Sequence, residues 1–197
     1  MKRKIASVSG AILIGCLILL VSVCRSTNNV PQSLAVANLQ FEVQSQLSSE
    51  SSVSKVNYYL VYPGILPDHP LYKIKMVRDR IWLWLTTDVL DKSELLLLYA
   101  DKRLGAGKVL VEGNKVDLGI ATLWKGEKYL ERAVDTILAA KEKGLGVNTI
   151  AEKIKNSSLK HEEVLLGLKE KVNGEGKTAL GEIIEYLQEI QKKTNSF

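Results

Sequence analysis

Cysteine is almost missing from this chain: there are two among 197 residues, Cys16 and Cys24, both within the first 25. Everything after them must be held by packing and not by disulfides. Histidine is as scarce, with His69 and His161 alone. Two histidines without a downstream cysteine cannot build a closed N/S zinc site. They also leave little from which to assemble a nucleophile, a base and its orienting group, so no catalytic, metal-binding or cofactor-binding residue is assigned. Acidic residues are absent from residues 1–37, which hold Lys2, Arg3, Lys4 and Arg25. Setting those four aside leaves 23 basic against 22 acidic residues of the 27 and 22 in the whole chain. The net charge of +5 is therefore a feature of the leading segment, and no basic footprint for nucleic acid remains. Strand patterning is missing too, apart from the short "NYYLVY" at 57–62.

What is present begins with "MKRK" and an uncharged run from Ile5 to Cys24. At about 1.5 Å per residue such a run spans a ~30 Å hydrocarbon core. The basic start holds that end in the cytoplasm and directs the rest outward. Residues 1–25 are thus expected to be a signal peptide or transmembrane anchor. Three fates fit: a retained anchor, cleavage after "AVA" at Ala35–Ala37, or acylation of Cys16 in "LIGC". Residues 26–57 carry eight serines and no bulky apolar set, as in a solvated flexible spacer. The expected location is outside the cytoplasm, anchored or released near Ala37.

Three of the four prolines fall in "VYPGILPDHPLYKIK", residues 61–75. Pro63 and Pro67 keep Tyr62 and Leu66 extended, Asp68 is placed to cap a helix, and Pro70 suits its first turn. The segment reads as a brace leading into a first helix over about His69–Leu85. Tyr62, Ile65, Leu66 and Tyr72 are expected on the bundle. So is the apolar stripe Leu71, Ile74, Val77, Ile81 and Leu85. Further helices follow over about Asp88–Glu112, Val116–Lys143, Thr149–Val172 and Thr178–Lys193. Their seams include Ile120, Leu123, Leu130, Val134 and Ile137, then Ile150, Ile154, Leu165 and Leu168, then Leu180, Ile183, Ile184, Leu187 and Ile190. Short Gly/Asn turns between long amphipathic helices predict an all-α, up-and-down antiparallel bundle of about five helices over residues 58–197.

The leading motif, with "KHEEVLLGLKEKV" at Lys160–Val172, resembles a family of exported bacterial helical domains of unknown function. That family is marked by Y-P-G-x-L-P-D-x-P-x-Y-x-x-K. The matching positions are Tyr62, Pro63, Gly64, Leu66, Pro67, Asp68, Pro70, Tyr72 and Lys75, and the resemblance covers about residues 58–172. It departs at Val89, where such sequences often have Pro after the capping Asp. The resemblance implies a helical fold and export, and brings no activity with it.

"GEGKT" at Gly174–Thr178 mimics the end of a phosphate-binding loop, but Lys171 replaces the first glycine and a helix replaces the strand, so an inter-helix turn is expected. "HEEVL" at His161–Leu165 lacks the second zincin histidine, and His161 is expected as a seam residue bonded to Ser157 or a backbone carbonyl. Glu127 interrupts the third helix's seam; no carboxylate opposite it is evident, and a local ion pair or an exposed seam is expected. In "RIWLWL", Trp82 and Trp84 point to different sides of one helix. The plainer expectation is that the brace covers one and the bundle the other. Beside Arg78 and Arg80, they could instead form a membrane or partner surface. Together these features describe a non-enzymatic envelope module that acts by binding or as a structural protein, with an envelope protein as partner and the membrane as another through an uncleaved N-terminus. The alternative is a small-ligand binder with a pocket near Trp82, Trp84 and Trp124.

Overall fold

The computed structural model describes residues 56–197, which belong to one unit, Glu50–Phe197. The expected export segment, and all but the last two residues of the expected spacer, lie outside the described residues. The helices are α1 (Tyr72–Leu85), α2 (Val89–Glu112), α3 (Val116–Glu142), α4 (Asn148–Lys171) and α5 (Glu175–Thr194). Among the described residues no helix is long and apolar enough to cross a membrane.

Local chemistry explains most boundaries. Asp88 accepts from the amides of Leu90 and Asp91 at 2.8 and 2.9 Å, capping α2 despite Val89 at its first position. Helix α3 ends before Gly144, whose φ of +77° is open to glycine. Helix α5 starts three residues earlier than the periodicity predicts, because Gly174 at φ +61° turns the chain and "GEGKT" winds into its first turn. That sequence follows a helix and forms no phosphate cradle.

Pairs of contacting residues give the topology. Along α2 and α3, Gly107 meets Leu123, Ala100 meets Gly126, and Ser93 donates to Ala133 O at 3.0 Å, so the two helices run antiparallel. Gln188 donates to Glu162 and Gln191 to Ser158 O, which gives the same antiparallel sense between α4 and α5. Across the two hairpins the order is parallel: Lys153 pairs with Glu94 and Lys171 with Glu112, while Tyr186 and Lys193 both meet Glu131. Two antiparallel hairpins therefore lie side by side, and α2 and α5 do not touch. Leu104, Leu123, Leu130, Ile154, Leu165 and Leu187 fill the space between them.

The α2–α3 pair is the closest. A Cβ on Gly119 would stand 2.5 Å from Val111 Cγ2 and 3.0 Å from Val111 N, and one on Gly107 would overlap Leu123. The glycines that weaken these helices by propensity are what lets their backbones meet.

Candidate functional site

The leading motif is a strap over α2. Gly64, at φ +69°, reverses the chain so that Lys75 Nζ from α1 donates to Pro63 O at 2.7 Å and Ile65 O at 3.2 Å. The Pro63 ring lies over Gly105, where an added Cβ would stand in ordinary contact with it at 3.6 Å. Asp68 does not cap α1, as its position predicts. Its carboxylate is 2.6 Å from Lys115 Nζ in the α2–α3 turn, so it fastens the strap there, and α1 starts at Tyr72 without a side-chain cap. Tyr62 and Ile65 are exposed, a correction to the brace packing; Leu66 and Tyr72 are half-buried. Leu60 lies against the core instead.

A charged cluster sits within the bundle. His161 on α4 is 0% exposed, with Nδ1 2.8 Å from Glu127 Oε1 on α3 and Nε2 3.1 Å from Asp101 Oδ1 on α2. Both ring nitrogens face carboxyl oxygens, and against ionised carboxylates, which only accept, both donate and the ring is an imidazolium. Burial alone would push its pKa down, but the Glu127 charge and the hydrogen bonds to Asp101 and Glu127 outweigh it and raise it to about 9. Ser157 donates to Asp101 Oδ1 at 2.7 Å and Tyr58 to Asp101 Oδ2 at 2.7 Å. Burial, then the Asp101 charge, pushes the Tyr58 phenol well above its ordinary value. Glu127 Oε2 is buried without a hydrogen-bond partner.

This is not the seam pair expected of His161: its partners are two carboxylates from other helices, and Ser157 shares one of them. Glu127 is neither local in its pairing nor exposed. The wiring also differs from a nucleophile–base relay. There, serine donates to histidine and histidine to the acid; here serine and histidine donate to the same carboxylate. Among the described residues no group of such side chains is placed to hold a metal ion.

Helix α1 turns the opposite way from its pattern. The residues facing the bundle are Asp79 and Leu83, with Tyr72, Lys75 and Met76 half-buried. Tyr99 donates to Asp79 O at 3.1 Å, and Arg78 holds the Asp79 carboxylate at 2.8 Å. The stripe expected in the core, Leu71, Ile74, Val77, Ile81 and Leu85, is on the outside, with Ile74 68% exposed. Neither tryptophan is covered by brace or bundle; Trp82 is 61% and Trp84 79% exposed. They border different hollows. Trp82 lines a groove of about 780 Å³ with Tyr58, Leu85, Asp88, Asp91 and Leu98. Trp84 lines a smaller one with Tyr129 and Arg132. Trp124 packs elsewhere, its ring 5.4 Å from that of Tyr186.

A family model described as "Domain of unknown function (DUF5667)" matches residues 64–175, more than half of the chain. The chain belongs to this family. No curated protein and no solved structure matches it. The family's span takes in the strap from Gly64, all of α1 to α4, and the three charged members of the buried cluster.

Asp101 is the residue that sequence reasoning missed. In "YADKRL" it looks like the start of a solvated charge run, yet Leu97 and Leu104 flank it at helical spacing and mark it as facing inward. Arg103, from the same run, is also buried, with its guanidinium 4.6 Å from the Tyr129 ring centre.

Proposed function

We propose that this member of the family is an extracytoplasmic, non-enzymatic module of the cell envelope that acts by binding through the outer face of α1. One observation carries the reading: α1 directs a carboxylate, Asp79, at the bundle and its apolar stripe at solvent. Left free, that arrangement sacrifices the burial of about 1.5–3 kcal/mol per large apolar side chain, so it makes sense as a surface meant to be covered. The uncharged run at Ile5–Cys24 behind "MKRK" supports an envelope location. The sealed cluster argues against catalysis, because a general base must reach its substrate and His161 reaches only buried carboxylates.

The test is a photoreactive amino acid at position 81 of the chain in its native host. Adducts with envelope components from position 81, and not from exposed Lys143 in the α3–α4 turn, support the reading. Unreacted protein at both positions contradicts it.

A second reading rests on the Trp82 groove, whose apolar wall and exposed carboxylates Asp88, Asp91 and Glu94 would suit a small amphipathic cation. Such a ligand would change Trp82 fluorescence and raise the melting temperature.

A further inference from the structure

We infer that the outer face of α1 docks on an anionic lipid surface. This deepens the proposed function by naming the partner, and it rests on reading α1 as a binding face. Successive residues of an α-helix are about 100° apart, which places Val77, Ile81, Ile74 and Leu85 in sequence around the side opposite buried Asp79 and Leu83. On one flank of that apolar strip lie Trp84, Lys73 and Arg80; on the other lie Arg78, Leu71 and Trp82. All these residues are exposed.

Every charged side chain on the exposed part of α1 is basic, because its one carboxylate, Asp79, is turned inward against Arg78. The exposed charge of the helix itself is thus of one sign, which suits an anionic surface. An apolar strip bounded by tryptophan and basic residues has the layout of a helix lying in a membrane interface: chains below the headgroups, indole at their level, cations against lipid phosphates. The 14 residues of α1 extend about 21 Å, all of which can lie in that plane. The chain outside the described part fits as well. Residues 25–55 separate the uncharged run from the strap in sequence, and the spacer expected there would reach roughly 30 Å, so an anchored run would keep α1 beside the bilayer.

The test uses the full-length chain reconstituted into vesicles of phosphatidylglycerol and phosphatidylcholine whose acyl chains carry bromine, a quencher of tryptophan. Compared with unbrominated vesicles, emission is expected to fall about twofold or more. A Trp82→Phe/Trp84→Phe variant should lose that response, leaving the emission of Trp124. So should Ile74→Ser/Val77→Ser/Ile81→Ser, whose side chains support no packing. Lys73→Gln/Arg80→Gln should weaken docking roughly thirtyfold, and added salt should do the same.

Equal emission with and without bromine overturns the inference, and so does quenching that survives the serine variant. Equal quenching in pure phosphatidylcholine overturns the anionic assignment. Photo-adducts from position 81 separate this inference from the reading beneath it. Adducts with an envelope protein and no quenching remove the lipid and keep the binding face. Adducts with a second copy, or with residues 5–24 of the same chain, also remove the lipid. No adduct and no quenching removes both.

Discussion

His161 joins three helices through two carboxylates, and that makes it the residue on which the interior depends. Removing one member of a buried ionic group leaves the others charged and unpaired, at a cost of about 3–5 kcal/mol. His161→Leu is therefore expected to lower the urea midpoint steeply, while a triple change with Asp101→Leu and Glu127→Leu should restore much of the loss. Acid–base behaviour gives an independent reading. The folded ring titrates near 9 against an ordinary value of 6.5, so the native state holds the extra proton between them. The stabilisation is full below about pH 6.5 and is lost as pH rises through 9, about 3 kcal/mol in all. Unfolding measured from pH 6 to 10 should show that decline in the wild type and not in the triple variant. A flat profile would mean that His161 is neutral when folded.

Among the elements, α2 and α3 are bound by close backbone approach and α1 by little more than its Asp79 side. Gly119→Ala is expected to destabilise by about 1–3 kcal/mol, because the added methyl meets Val111 and the α2 backbone. Gly167→Ala on α4 meets nothing within 4 Å and should stabilise by up to about 1 kcal/mol, so thermal melts of the two should move in opposite directions. Ile74→Ser/Val77→Ser/Ile81→Ser should change stability by less than about 1 kcal/mol, against several for Leu123→Ala in the core. Helices α3 to α5 were legible in the sequence because each has a seam whose period only the core can satisfy: Leu123, Leu130, Val134 and Ile137 are all fully buried; α2 was legible from Asp88 at its start and Gly113 at its end. Helix α1 misled because periodicity reveals that a face is apolar and says nothing of what covers it. Asp101 escaped for the converse reason. A charge is assigned to solvent by default, and only His161 and Glu127, distant in sequence, justify its burial.

Across the whole molecule, a bundle with its own core and a sealed ionic centre carries one helix that contributes little to that core. The leading motif fits this division: Lys75, Gly64, Pro63 and Asp68 fasten the chain to α2 and the α2–α3 turn, and so fix where α1 stands. These motif residues thus hold the chain in place, and the outward residues of α1 form the face proposed to bind. On the proposed reading, that face meets an envelope surface. The measurement that bears on this most directly is fractionation of the native host with intact mass on the recovered protein. Expected is a full-length mass in the membrane fraction, or a mass beginning at Asn38 outside the cell. A full-length mass in the cytosol, with none in the envelope or medium, would contradict an extracytoplasmic module outright.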